Sequence, residues 1–163
     1  PEMKSTGEVM AIDNSFESAF IKCQLAASNP LPQKGTLFVS VKDSDKAKIL
    51  PVIRSFSKQG FKILATSGTA QFLIDGGVKT KIINKVSQGS PHCVDALLED
   101  KIDIVINTTE TRKSINDSFG IRRTALIKNI PYSLTVSGAR ACINSIKRLK
   151  AEDITVNPIT NFH

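Results

Sequence analysis

Short apolar runs alternate with stretches of helical periodicity along this chain. Runs rich in apolar and β-branched residues predict five strands, at TLFVSV (36–41), FKILAT (61–66), VKTKII (78–83), DIVINTT (103–109) and PYSLTV (131–136). Apolar residues at helical spacing predict helices at residues 15–28, 44–60, 69–74, 92–100, 119–129 and 138–149. This alternation is typical of a parallel sheet covered on both faces, so we predict a doubly wound α/β domain.

The helix expected within residues 44–60 contains a proline that constrains where the helix begins. Proline lacks an N–H and is best tolerated in the first turn of a helix. We therefore expect the main helix to start at Pro51, after a short turn capped by Asp43 or Ser44. Gly60 is expected to end the helix as a C-cap.

Composition narrows the class of protein. With 163 residues, 40% hydrophobic and 23% charged, the chain has the size and content of one ordinary globular domain. Cys23, Cys93 and Cys142 are far apart and form no CxxC or Cys/His cluster, so we expect reduced thiols and no metal site. We find no signal peptide and no apolar stretch near the ~18 residues of a membrane span, and expect a cytoplasmic protein without membrane contact. A first residue of Pro suggests a piece of a longer protein.

The net charge of +7 favours an anionic ligand. Aromatic residues make up only 6% of the chain, tryptophan is absent, and the basic residues are spread along the sequence. Stacking platforms for bases are therefore few, and nucleic acid is not the expected partner.

Polar side chains follow four of the five predicted strands. In parallel α/β sheets, ligands bind at the carboxyl ends of the strands, which all meet at one edge. The four strand ends carry Ser40 with Lys42 and Lys46, Thr66-Ser67-Gly68-Thr69, Asn84-Lys85, and Asn107-Thr108-Thr109. We expect these residues to line one site.

The stretch TSGT (66–69) joins a strand to a helix and predicts an anion site. A glycine lets the backbone approach a ligand closely, and the exposed N–H groups and dipole of a helix start favour an anion. Thr66 and Thr69 add hydroxyls, while Lys46 and Lys85 add charge. The competing interpretation is structural, because Thr or Ser before a helix is an ordinary N-cap that stabilises it by about 1 kcal/mol.

Catalytic residues are few. His92 is the only internal histidine and is expected to be structural, and no GxSxG, HExxH or P-loop motif occurs. The aspartates considered as bases fall in helices and turns away from the polar strand ends: Asp75, Asp95, Asp100, Asp103 and Asp117. We expect no carboxylate where a general base is needed, and so predict binding without chemistry.

Several segments together resemble the C-terminal end of the carbamoyl-phosphate synthase large chain. The resemblance covers nearly the whole sequence in order and is carried by KSTGEVM (4–10), LFVSVKDSDK (37–46), GFKILATSGTA (60–70), NKVSQGSPH (84–92), INTT (106–109) and IRRTAL (121–126). It implies a three-layer Rossmann-like sandwich with a five-stranded parallel sheet, of the methylglyoxal-synthase-like type. It also implies that residues 1–30 are the tail of a preceding synthetase unit with a linking helix, and residues 31–163 the allosteric domain.

The resemblance implies a regulatory role in pyrimidine and arginine biosynthesis. The domain would need no cofactor itself, while the full-length enzyme would use ATP and Mg, with K a further candidate. The implied effectors are UMP, IMP and ornithine. The implied protein partners are the remainder of the large chain and the glutaminase small chain.

Site residues follow from the matching motifs. Phosphate binding falls on Thr66, Gly68, Thr69, Lys85 and Lys46, and nucleoside binding on Ser40, Asn107, Thr108 and Thr109. Ser67 stands where the family often has His, which should still allow anion binding. For ornithine, Tyr132 matches but Leu134 replaces a hydroxyl, so we expect weak ornithine binding or none.

Two enzymes of similar fold and a structural role are the alternatives. Methylglyoxal synthase has a similar TxGT turn, but it carries Asp-Pro where this chain has Asn107-Thr108-Thr109. The inosine-monophosphate cyclohydrolase domain shares the turn but not the KSTGEVM or NKVSQGSPH segments. The structural alternative is an interaction module whose polar loops hold a partner. The helix at residues 15–28 is also expected to pack on the rest of the large chain, a role compatible with effector binding.

Overall fold

The computed structural model describes residues 9–108, 112–151 and 154–162. Five strands are present in this part of the chain: β1 (Thr36–Ser40), β2 (Lys62–Ala65), β3 (Thr80–Ile82), β4 (Ile104–Asn107) and β5 (Tyr132–Ser133). The α-helices are α1 (Phe16–Ala26), α2 (Asp43–Lys58), α3 (Ser67–Asp75), α4 (Cys93–Leu98), α5 (Arg112–Ile127) and α6 (Val136–Ala151). Two short 3-10 helices lie at Val86–Gln88 and Ile159–Phe162.

The five strands form one parallel sheet in the order β3-β2-β1-β4-β5. Strands β1 and β4, at the centre, place Ser40 beside Asn107 at their carboxyl ends. All five carboxyl ends lie at one edge, as the sequence pattern predicts.

Two apolar clusters cover the faces of the sheet and confirm a three-layer sandwich. The alternation of side chains along β1 turns Leu37 and Val39 toward the cluster formed with α1, α2, α3 and α6. Phe38 joins the opposite cluster, formed with α4 and α5. All three β1 side chains are fully buried, which fixes the register of the central strand.

Helix α1 belongs to the first of these clusters. Ser15 caps it, with its side chain accepting a hydrogen bond from Ser18 N. Ile21 is only 1% exposed and packs with residues of α6 such as Ile143 and Ile146. The domain boundary expected near residue 30 stays a prediction.

Helix α2 corrects the expectation for Pro51. The helix runs without interruption from Asp43, so Pro51 lies in its interior, and its N-cap is Lys42 without a side-chain capping bond. Tertiary packing explains the difference, because buried side chains before and after the proline hold one continuous helical face, including Ile49 and Ile53. Gly60 follows the helix with a φ of +90°, as expected of a residue that ends it.

The last strand is shorter than predicted, with only Tyr132 and Ser133 in β5. Thr135 O accepts from Ala139 N at 3.1 Å, and Thr135 Oγ1 accepts from Gly138 N at 3.0 Å. Because of these bonds, the chain enters α6 at residue 136, where the sequence pattern predicts the end of β5. Helix α5 likewise begins seven residues earlier than residue 119, where apolar periodicity becomes visible.

Candidate anion-binding site

The carboxyl ends of β1, β2 and β4 bring three polar side chains together. Ser40 Oγ lies 3.2 Å from Thr66 Oγ1, and Ser40 is the register partner of Asn107. Thr66 and Asn107 are 3% and 2% exposed. Buried polar groups of this kind are retained only where hydrogen bonds or a ligand satisfy them.

Helix α3 starts immediately after this group. Thr66 is its N-cap, but its side chain makes no capping bond and instead contacts Ser40. Thr69 N already donates to Thr66 O at 2.9 Å, but the absence of a side-chain cap leaves the earlier N–H groups of the first turn able to bind an anion. The structural alternative, an ordinary threonine N-cap, is therefore not what this turn forms.

Two threonines of the predicted site hold the loop between β1 and α2. Thr69 Oγ1 accepts from Val41 N at 3.2 Å and lies 3.4 Å from Val41 O, to which it donates. Thr108 Oγ1 accepts from Lys42 N at 3.1 Å. Both side chains are buried, and both hydroxyls bond to backbone. Thr109 lies outside the described residues.

A carboxylate that the sequence analysis considers only as a helix cap, that of Asp43, sits at this edge of the sheet. Asp43 Oδ1 contacts Lys46 Nζ at 2.7 Å, with the Asp43 side chain 92% exposed and that of Lys46 20% exposed. The hydrogen bond from Lys46, then its charge and that of Lys85, lower the pKa of Asp43. Asp43 was overlooked because it reads as a helix cap. The other sequence signal that could have identified Asp43 was its position shortly after β1.

Lys46 reaches over the start of α3. A Cβ added at Gly68 would lie 3.7 Å from Lys46 Nζ, so the ammonium is close to the helix N-terminus. Lys85 is exposed at the start of the 3-10 helix and is near enough for its charge to act on Asp43. The structure thus places Lys46 beside Gly68 at the start of α3, and Lys85 within electrostatic range of Asp43, the partner of Lys46.

A second polar group involves the end of β4 and the neighbouring strand β5. The Asn107 amide nitrogen and the Tyr132 hydroxyl are both buried without a hydrogen-bond partner among the described residues. Burial raises the pKa of Tyr132, while the nearby Arg122 guanidinium and Asn107 amide act in the opposite direction. Arg122 was not assigned from sequence, although IRRTAL contains it, because its position depends on how α5 packs.

His92 has the structural role that the sequence analysis expects. It caps α4, and its Nδ1 accepts from Asp95 N at 3.3 Å. Asp95 Oδ2 in turn accepts from His92 N and Ser90 Oγ, and these bonds lower the pKa of Asp95. Asp103 is also structural, since its Oδ2 accepts from Thr36 N at 2.6 Å at the opposite edge of the sheet.

The cysteines form no disulfide, with Cys93 and Cys142 buried and Cys23 half-buried. Within the described ranges, no cluster of three or more His, Cys, Asp or Glu side chains could hold a metal ion. No helix in those ranges is long and apolar enough to cross a membrane.

This fold and site define a parallel α/β domain with a candidate anion site at the carboxyl ends of its strands. The MGS-like domain family matches residues 48–134, so the chain belongs to that family. The crystal structure of methylglyoxal synthase from Elizabethkingia anophelis NUHP1 has a TM-score of 0.54 and 18% identity, covering 69% of this chain and 79% of that one. At this identity the likeness shows the fold alone.

The chain is also similar to carbamoyl phosphate synthase large chains over nearly its whole length. It is 48% identical over 162 residues to that of Mesorhizobium japonicum, covering 99% of this chain and 14% of the relative. It is 48% identical over 159 residues to that of Methanobrevibacter smithii, covering 98% and 15%. It is 44% identical over 164 residues to the "C-terminal section" from Methanopyrus kandleri, covering 100% and 30%. The chain therefore spans a small part of these relatives.

Proposed function

We propose that this chain is the regulatory domain of a glutamine-hydrolysing carbamoyl-phosphate synthase large chain, and that it binds nucleotide effectors such as UMP and IMP. The observation that carries the proposal is that two polar residues, Thr66 and Asn107, are buried beside the uncapped start of α3. The names of the relatives support the enzyme context.

The phosphate group of the effector is assigned to the N-terminus of α3. There it accepts hydrogen bonds from first-turn N–H groups and the Thr66 hydroxyl, and Lys46 and Lys85 neutralise its charge. Thr69 contributes by holding the adjoining loop in place.

The nucleoside is assigned to the end of β4. Asn107 has an amide N–H₂ donor without a described partner, which suits a carbonyl of a base or a sugar oxygen. Ser40, Thr108 and Thr109 complete the proposed nucleoside contacts, and Tyr132 is kept as a weak ornithine contact.

Regulation would reach the synthetase units through the rest of the large chain. Effector binding would draw together the loops after β2 and β3 and so alter the surface next to a synthetase unit that uses ATP and Mg. Coupling of this kind is typically about 1–3 kcal/mol. In this proposal, the glutaminase small chain is a further protein partner, and the protein is located in the cytoplasm.

A methylglyoxal synthase activity is less well supported. The carboxylate that the structure adds at the strand ends, Asp43, is paired with Lys46 and has a lowered pKa. A lowered pKa makes a carboxylate a weaker general base. We therefore expect no methylglyoxal from dihydroxyacetone phosphate.

Titration calorimetry with UMP tests the proposed function. We expect UMP to bind this chain more tightly than inorganic phosphate, and Lys85→Ala to weaken UMP binding about tenfold. Lys79→Ala is the matched control, because Lys79 is an exposed lysine just before the amino end of β3. Equal UMP affinity for Lys85→Ala and the unaltered chain would place the phosphate elsewhere.

A further inference from the structure

The charges around the start of α3 are not all of one sign. Two cations, Lys46 and Lys85, suit an anionic ligand. The ammonium of Lys46, however, already forms an ion pair with the carboxylate of Asp43 at 2.7 Å. The charge of Lys85 also acts on Asp43, so the carboxylate lies in the field of both cations. An arriving phosphate would meet a carboxylate already in place.

Asp43 is placed there by the fold. The chain leaves β1 at Ser40 and enters α2 at Asp43, so the first turn of α2 stands at the carboxyl edge of the sheet beside the start of α3. Thr69 and Thr108 fix the connecting loop from two sides by bonding to Val41 and Lys42. The backbone just before Asp43 is therefore held on two sides by hydrogen bonds.

We infer that Asp43 is an affinity-setting residue of the anion site, acting as a built-in anion that a ligand must displace from Lys46 or tolerate beside it. This inference rests on the proposed function and adds to it. A dianion such as a phosphate monoester competes for Lys46 better than a singly charged anion, because its attraction to the two lysines is about twice as strong. Asp43 repels both kinds of anion, and it repels the dianion more strongly, so its effect is to set the effector concentration at which the site fills.

The size of the effect follows from the charge. A unit negative charge roughly 5 Å from a bound dianion in screened water weakens the binding of the dianion by about five- to tenfold. The same charge weakens the binding of a monoanion by about two- to threefold. An aspartate of ordinary pKa is already ionised at neutral pH, and the pKa of Asp43 is lowered further by Lys46 and Lys85. Neutralising it should therefore strengthen binding rather than weaken it.

Asp43→Asn in this chain tests the inference, with Asp45→Asn as the matched control. Both aspartates lie in the first turn of α2, so both substitutions remove one charge and the same favourable position near the helix N-terminus. Asp45 forms no ion pair with the described side chains. Calorimetric titrations with UMP and with uridine, at low and at physiological salt, give the readout.

We expect Asp43→Asn to bind UMP about five- to tenfold more tightly at low salt, with a smaller gain at physiological salt. Asp45→Asn should change UMP affinity little, and neither substitution should alter uridine binding. If the unaltered chain binds UMP and Asp43→Asn binds it equally or more weakly, the inference is wrong while the proposed function stands. If neither the unaltered chain nor Asp43→Asn binds UMP, both the function and the inference fail.

Discussion

At the scale of single residues, polar groups at the carboxyl edge could be located from sequence, but their partners could not. The polar character of Ser40, Thr66 and Asn107 follows from their place after apolar runs. That Ser40 pairs with Thr66 depends on the parallel register of β1 and β2, which no local pattern states. Asp43 shows the same limit, because its contact with Lys46 arises only once α2 begins, three residues after β1 ends.

Gly35 is a residue whose role appears only in the structure. Its φ is +131°, and a Cβ there would overlap the carboxylate of Asp103, which binds Thr36 N. We expect Gly35→Ala to lower the free energy of unfolding by about 2–4 kcal/mol through backbone strain and loss of the Asp103 contact. Urea denaturation followed by circular dichroism measures this.

Gly60→Ala provides the control, since Gly60 also has a positive φ but open space around its Cβ position. It should cost about 1 kcal/mol, from strain alone. Equal losses for the two variants would mean that the Asp103 carboxylate moves aside freely and contributes little.

The buried thiol of Cys142 gives a pH dependence with a definite sign. Burial raises the pKa of Cys142 from 9.0 to about 12, so the folded protein keeps this proton at pH values where the unfolded chain has lost it. The contribution to stability is complete below pH 9 and is lost as the pH rises toward 12, with about 1 kcal/mol of it lost by pH 10.

Urea denaturation at pH 8 and pH 10 tests this. We expect Cys142→Ala to lose less stability than the unaltered chain between these two pH values. Cys23→Ala, at a half-buried thiol, should follow the unaltered chain. An identical pH dependence for all three proteins would show that Cys142 ionises in the folded state as readily as in the unfolded one.

At the scale of elements, strands that are buried on both faces were the most predictable part of the fold. The apolar runs of β1, β2 and β4 mark their cores within one or two residues. Errors occurred where tertiary packing overrides a local rule. Pro51 lies inside α2 because the buried residues around it stabilise one continuous helix. The strand β5 ends early because Thr135 caps α6.

At the scale of the whole molecule, the domain boundary expected near residue 30 stays a prediction, and α1 is the element on which it can be tested. The sequence analysis groups residues 1–30 with a preceding unit, whereas α1 packs on α6 within one apolar cluster of the sheet. Ser145 Oγ also donates to Glu17 O at 3.4 Å. A helix held by such contacts should unfold with the domain rather than before it.

Ile21→Ala decides between these two descriptions of α1. If α1 is part of the cooperative unit, deleting this 1% exposed side chain should lower the free energy of unfolding of the whole chain by about 2–5 kcal/mol. Leu25→Ala is the matched control on the same helix, because Leu25 is 51% exposed and should change stability by less than about 1 kcal/mol. Urea denaturation should show a single transition in each protein, shifted only in Ile21→Ala. An unshifted main transition in Ile21→Ala, with early loss of helical signal, would instead make α1 an independent linker whose packing contributes little to the sheet domain.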